Sequence, residues 1–315
     1  MPSENDFVAA LIRGLPSDRR LEVPVGDDAA VLRPPALRRT VITVDMLMEG
    51  VDFVLGPDCP PEAVGHKALA VSLSDLAAMG SRPEAAVVAV ALPRRAGDAI
   101  GRGLQAGLAA AAAAHDVALA GGDTNSWDGP LVISTTLIGS VAPGAAWRRD
   151  GARAGDLLVA SGAFGGSLLG RHLAVTPRCR EAAVIAAGYT VHAAIDVSDG
   201  LSLDVARMMT ASGTAAVLDL AAVPIHTDAV TMASRSGDGR SPLEHALGDG
   251  EDFELVLAMP PEDARRLAAQ SGRPPLETPF TIIGEVVEGM GLRARSDDGV
   301  PRPLLPQGYQ HDLAE

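Results

Sequence analysis

The chain has 315 residues, 47% hydrophobic and 21% charged, and its 40 acidic against 26 basic side chains leave a formal net charge of −14. That balance excludes the usual nucleic-acid partner, because no basic stripe is present to release counterions from a phosphate backbone. The length suggests two domains at about 150 residues each, with core enough to fold without disulfides.

Met1 to Phe7 carry Glu4 and Asp6 and no basic stretch before an apolar run, so no secretory signal is expected and cytoplasm is the default compartment. Residues 41–45 (VITVD) predict a short strand ending in a carboxylate. Pro60 or Pro61 opens a helix over 62–79 that stops at Gly80, and 85–92 reads as a buried strand. A second helix is expected over 97–115; its alanine-rich part, broken by Gly107, His115 and Asp116, is too short and too weakly apolar to span a bilayer. Strands at 117–120 and 131–141 complete this half, the first running into Gly121-Gly122-Asp123-Thr124.

Pro, Gly and the arginines Arg148, Arg149 and Arg153 interrupt the pattern between 143 and 155, which places a boundary there, with domains expected at 1–145 and 146–315. Beyond it a strand at 157–161 meets the glycine-rich turn Gly162-Ala163-Phe164-Gly165-Gly166, followed by a helix around 167–173. Strands are expected near 194–197, 215–220, 253–258 and 281–286, a helix over 201–212, and an exposed loop over 234–241. The expected class is α+β.

Several chemistries drop out by inspection. Lys67 is the only lysine and stands outside any Gly-x-x-x-x-Gly-Lys-Ser/Thr loop, so Walker-type phosphate binding is excluded. Cys59 and Cys179 are isolated and form neither a disulfide framework nor a zinc motif. Gly101, Gly103 and Gly107 miss the dinucleotide spacing and read as helix-packing glycines.

What recurs instead is a carboxylate beside glycine or at the end of an apolar strand: Asp27 and Asp28, Asp45, Asp75, Asp123, Asp196 and Asp199, and Asp249, Glu251 and Asp252. Ionised carboxylates gathered on one surface need cations, and hard oxygen ligands without His or Cys select magnesium bridged to substrate phosphates. Taken singly, Asp27/Asp28 and Asp249/Glu251 are better explained by turn and cap chemistry than by a ligand role. Asp75 lies inside an apolar helix, where a metal-ligand role and a buried salt bridge both explain it; at Asp196 and Asp199 capping explains one carboxylate but not both. Lys67, which reads as either a structural or a phosphate-facing lysine, and Arg149, with the amides of Gly121-Gly122 or of the 162–166 turn, are the groups available to phosphate oxygens.

Seven blocks give these carboxylates a common setting: VGDDAAVL (25–32), TVDMLMEGVDF (43–53), HKALAVSLSDLAAMGSRP (66–83), GGDT (121–124), RRDGARAGDLL (148–158), AIDVSDGLSLD (194–204) and GDGEDFEL (248–255). In order and spacing the chain resembles thiamine-monophosphate kinases, within the superfamily of aminoimidazole ribonucleotide and selenophosphate synthetases. The resemblance implies a two-domain fold, an N-terminal ATP- and metal-binding domain whose strands form a shared barrel in a homodimer, and a C-terminal α+β domain completing the nucleotide and substrate site. It implies direct, in-line phosphoryl transfer from ATP to thiamine monophosphate with several magnesium ions. By position, Asp28, Thr43, Val44, Asp45, Asp75, Asp123, Asp196 and Asp199 correspond to the metal set, of which Asp45, Asp75, Asp123 and Asp199 act in catalysis through the ions. Gly122, Asp123, Arg149 and Ser198 correspond to nucleotide-site residues, and Asp52, Glu251 and Pro306 to the thiamine side.

Three positions depart from the family pattern. Asp52 stands where histidine is frequent, Val44 where a hydroxyl is frequent, and Pro306 near an aromatic position, with Tyr309 close by. They leave open a related ATP-using enzyme with another small acceptor; a non-catalytic nucleotide-binding relative is the other alternative, which the intact acidic positions disfavour.

Overall fold

The computed structural model describes residues 13–15, 17–23, 31–33, 35–295 and 298–310, which divide into two units. The first is built from residues up to Leu76, Ser81–Ala145 and Leu173–Val175. The second takes Ala77–Gly80, Ala146–His172 and the residues from Thr176 onward. Asp27 and Asp28 lie outside the described residues.

In the first unit β1 (Leu21–Val23) pairs with β2 (Val31–Leu32). The strand expected at 41–45 extends to Arg39–Met48 as β3, because two-residue alternation holds along it. Thr43, Asp45 and Leu47 turn inward, whereas Ile42, Val44 and Met46 are 66%, 62% and 59% exposed. Next come α1 (Pro61–Ala78), β4 (Arg82–Pro93), α2 (Gly97–Ala114), β5 (Ala118–Trp127) and β6 (Val132–Val141). The sheet order is β3-β6-β4-β5, with only β4 and β5 parallel, so β3 is an edge. The two helices cross backbone to backbone: a Cβ on Gly107 would stand 1.9 Å from the Glu62 carbonyl oxygen, and one on Gly65 2.2 Å from that of Leu104. Gly107 thus serves helix packing, as expected, and Gly65 is its counterpart on α1.

The second unit holds β7 (Leu157–Ser161), α3 (Cys179–Gly188), β8 (Ala193–Val197), α4 (Leu201–Ser212), β9 (Ala215–Asp219), α5 (Thr227–Arg235) and α6 (Pro242–Gly248). It continues with β10 (Glu254–Met259), α7 (Pro261–Gln270), β11 (Phe280–Val287), β12 (Gly291–Arg295) and β13 (Pro301–Pro303). Its sheet runs β13-β12-β9-β11-β7-β10-β8. Val205, Met208 and Met209 of α4 are fully buried against Ile195, Val197, Leu218 and Val256. Truncating one such side chain to alanine typically costs about 2–5 kcal/mol. The helix expected around 167–173 is instead two 3-10 turns, Ser167–Leu169 and Arg171–Leu173, separated by Gly170 at φ 128, which no helix accommodates. Among the described residues, no helix is long and apolar enough to cross a membrane.

Candidate active site

In the first unit β3 and α1 bring two of the sequence's carboxylates together. Ser72 and Asp75 lie one turn apart on α1 and face the inward side chains of β3. The Ser72 hydroxyl donates to Asp45 Oδ2 at 2.5 Å, and the Thr43 hydroxyl donates to Asp75 Oδ2. Burial, and then the neighbouring charge of Asp75, push the Asp45 carboxyl up to about 6, against the Ser72 hydrogen bond that pulls it down. No cation is among the causes. Two acids held side by side in this way repel each other unless a proton or a metal ion sits with them.

No three His, Cys, Asp or Glu side chains among the described residues converge on one point. Magnesium asks for less, since it commonly takes one or two carboxylates and completes its shell with water and phosphate oxygens. The donor chemistry of Asp45 and Asp75 fits that ion.

Other predicted residues of this unit lie apart from the pair. Asp45 aligns across the sheet with Thr135, Val88 and Gly122, so Asp123 is one residue out of phase. It is also three strands away, roughly 14 Å at about 4.8 Å per strand. Gly122 is a packing requirement, because a Cβ there would stand 2.0 Å from the Val88 carbonyl oxygen. Val44 points to the exposed side of β3. Asp52 closes its own loop, with Oδ2 accepting the Met48 N–H at 2.6 Å and its carbonyl accepting Lys67 Nζ at 2.8 Å. Lys67 is fully buried on α1, which removes it from the phosphate-facing role offered above: its ammonium holds the Asp52 loop.

The second unit concentrates its predicted residues at the C-terminal end of β8. Asp196 is buried within the strand and Ser198, Asp199 and Gly200 turn into α4. Two residues that sequence reasoning did not single out organise this turn. Asp204 Oδ2 accepts the N–H groups of Ser198, Asp199 and Gly200 at 3.1, 3.0 and 3.2 Å, and Arg207 bridges Asp199 to Asp204 Oδ1. Burial raises the Asp204 carboxyl, opposed by these donors. The signal available in the sequence is the spacing Asp199, Asp204, Arg207, the last two being helical neighbours at i, i+3.

Two further segments close on the same turn. Glu251 donates its N–H to the Ser198 carbonyl at 2.6 Å, and Phe253 to that of Val197 at 2.7 Å. Glu251 and Phe253 both have positive φ (58° and 51°), the kind of local backbone strain that clusters at binding sites. From the C-terminal side, the Tyr309 N–H reaches the Asp199 carbonyl at 2.8 Å and the Gln307 N–H the Ser202 hydroxyl at 2.8 Å. Pro306 is exposed within this strap, and Tyr309 is half exposed. Arg149 is exposed and makes no ion pair among the described residues, so its guanidinium faces solvent ready for an anion.

The glycine-rich turn is not a phosphate cradle. Gly162 donates to the Pro279 carbonyl, Phe164 to that of Pro224, Gly165 to both oxygens of Asp252 at 3.0 Å, and Gly166 to Asp249 at 2.8 Å. Asp249 and Asp252 thereby anchor the turn, supported by Arg240 and Arg171 at 2.8 and 3.0 Å. Burial pushes the Asp252 carboxyl up to about 7 despite Arg171.

Models of AIR synthase related proteins match the chain in two parts, the N-terminal domain over residues 26–141 and the C-terminal domain over 138–297. A thiamine-monophosphate kinase from Rhodopirellula baltica is 42% identical over 319 residues, spanning 98% of this chain and 97% of its own length. The chain belongs to the thiamine-monophosphate kinase family. The thiamine-monophosphate kinase of Escherichia coli is 33% identical across 92% of both chains. Among solved structures, the thiamine-monophosphate kinase of Stenotrophomonas maltophilia superposes with a TM-score of 0.76 at 34% identity, over 93% of this chain and 95% of that one. A structure described as AaThiL complexed with AMPPCP and TMP has a TM-score of 0.76 at 28% identity, over 98% and 97%. The hydrogenase maturation protein HypE of E. coli, at 21% identity and a TM-score of 0.79 over 96% and 98%, shares the fold. The two-part architecture expected from the resemblance is thus that of the family.

Proposed function

We propose that the protein transfers the γ-phosphoryl group of ATP to the phosphate of thiamine monophosphate, giving thiamine diphosphate and ADP in thiamine diphosphate biosynthesis. The near end-to-end match to thiamine-monophosphate kinases carries this reading, and a relative that takes AMPPCP and TMP supports it. A phosphate oxygen of thiamine monophosphate attacks the γ-phosphorus in line as the bond to the bridging oxygen of ADP breaks. Such a transfer needs positioning and charge neutralisation more than a protein nucleophile.

Asp45 and Asp75 hold magnesium, with the Thr43 side chain and the Val44 carbonyl beside them, and Asp28, Asp123, Asp196 and Asp199 contribute to further ions. Magnesium, when bound, neutralises developing charge on the phosphoryl oxygens. Gly122, Asp123, Arg149 and Ser198 serve the nucleotide, with the exposed Arg149 guanidinium suited to bidentate phosphate binding. Asp52, Glu251 and Pro306 serve the thiamine end. Residues 1–145 form the domain carrying the first metal set and the dimer strands, and 146–315 the domain carrying Arg149, Ser198 and Glu251.

We further propose a cytoplasmic homodimer formed through β3. Ile42, Val44 and Met46 line one side of an edge strand at 59% exposure or more, an apolar edge that soluble proteins ordinarily cover.

The test is ADP release by the purified protein with ATP and magnesium, comparing thiamine monophosphate, thiamine and no acceptor, with chromatography of the thiamine product. Thiamine diphosphate formed from the monophosphate alone is the expected result. ATP turnover or binding without that product would move the acceptor assignment elsewhere in the superfamily.

A further inference from the structure

Away from the acid pair, the first unit contains a cavity of about 730 Å³ whose walls are dominated by Arg19, Arg20, Arg33, Arg38 and Arg82. A fifth of the chain's 25 arginines thus line one cavity of a protein with a net charge of −14. We propose that this cavity is a second ligand site, which binds a small molecule carrying a diphosphate or a comparable pair of anionic groups.

The arginines divide by what already holds them. Arg20 is neutralised, its guanidinium bound to Asp18 at 2.6 Å and to Asp116 at 3.3 Å, and it forms a fixed wall. Arg38 is held without an ion-pair partner among the described residues: Nε donates to the Ser140 hydroxyl at 2.8 Å and one terminal nitrogen to the Ser140 carbonyl at 2.7 Å. A guanidinium has five N–H donors, so donors remain for a ligand from a cation whose orientation is set. Arg82 has only an exposed contact of 3.4 Å to Asp116, and Arg19 and Arg33 make no ion pair among the described residues. Glu84, the third carboxylate of the wall, is buried and accepts the Ser140 hydroxyl at 2.7 Å, which turns it to holding Ser140 and through it Arg38.

Like charges brought together without compensation are unfavourable, and a planar fork matches phosphate or carboxylate oxygens in pairs. The volume lies in the small-molecule range of roughly 300–1,000 Å³. Several forks lining one cavity favour a ligand with at least two anionic groups over a single phosphate.

The site is separate from the Asp45–Asp75 pair. Arg38 and Arg82 sit where β3 and β4 begin, and Asp45 is roughly 20 Å further along β3 at about 3.3 Å per residue. The proposal therefore stands whether or not the reading of the acid pair does.

The test is calorimetric titration of the full chain with inorganic pyrophosphate in EDTA, which keeps divalent ions from the acid pair. A parallel arm with ADP separates a bare diphosphate from a nucleotide-borne one. One pyrophosphate per chain is expected, weakened at least tenfold in Arg19→Ala/Arg33→Ala and largely restored by Arg19→Lys/Arg33→Lys. The double alanine variant is expected to keep its magnesium-dependent kinase rate and its melting temperature, since neither arginine makes an ion pair among the described residues. Absence of pyrophosphate and ADP binding to the wild type, or binding equally tight in the double alanine variant, would overturn the proposal. Binding of ADP alone would assign the cavity to nucleotide diphosphates.

Discussion

The Asp45–Asp75 pair of the first unit and the acids around the 198–200 and 162–166 turns of the second are placed under opposite electrostatic conditions. Asp45 has a serine hydroxyl and a neighbouring acid, and its carboxyl is pushed up to about 6. Asp199, Asp204, Asp249 and Asp252 each have an arginine, and three of them also accept backbone N–H groups. The second unit neutralises its acids internally and gains a rigid turn. In the first, no cation stands among the causes of the Asp45 shift, the setting in which the proposed magnesium would bind.

The largest effect that this contrast predicts is at Asp75. Asp75→Asn should lower turnover about a thousandfold, equivalent to about 4 kcal/mol of transition-state stabilisation, while the metal-free melting temperature stays the same or rises. Steady-state ADP release and calorimetry check both halves, and a stable variant with near-normal turnover would sink the metal assignment. In the second unit the same kind of change should act on the fold. Asp204→Ala leaves three N–H groups without their acceptor and should cost roughly 3 kcal/mol in urea unfolding.

Next comes a pH effect with a definite sign. Because the Asp45 carboxyl rises from 3.8 to about 6 on folding, the folded chain keeps a proton between those values that the unfolded chain has released. Its contribution is thus favourable at the acid end and is lost as pH rises through 6, by roughly 2 kcal/mol allowing for partial exposure. Asp45→Asn should flatten that part of the stability profile in EDTA, and magnesium should raise the wild-type melting temperature more at pH 8 than at pH 5. Smallest, and outside either acidic group, Gly107→Ala should destabilise by about 1–3 kcal/mol through overpacking of the α1–α2 crossing, with turnover per folded molecule unchanged.

Much of this architecture is legible in the chain. Leu157–Ser161 and Leu201–Ser212 are legible because an apolar run ends at Gly162 and an apolar pattern at helical spacing ends at Gly213. The expectation over 167–173 fails at Gly170, whose backbone angle the pattern does not reveal. Helix α7, left unassigned, carried a readable start in Pro261, Glu262 and Asp263. At the site, Asp45 and Asp75 are individually conspicuous, yet their juxtaposition depends on how α1 packs on β3. The amides of the 162–166 turn look available in sequence because the acids that occupy them, Asp249 and Asp252, are more than eighty residues away. Arg207 is legible only in part: its i, i+3 spacing to Asp204 stands in the sequence, and folding adds Asp199 to the pair.

The most direct test of the central claim is Mn²⁺ binding, followed by paramagnetic resonance as a magnesium surrogate, in the wild type and in Asp75→Asn. A tight site present with a non-hydrolysable ATP analogue in the wild type, and weakened at least tenfold in Asp75→Asn, is the result predicted for an acid pair that recruits its cation. Equal Mn²⁺ affinity in both proteins would contradict it.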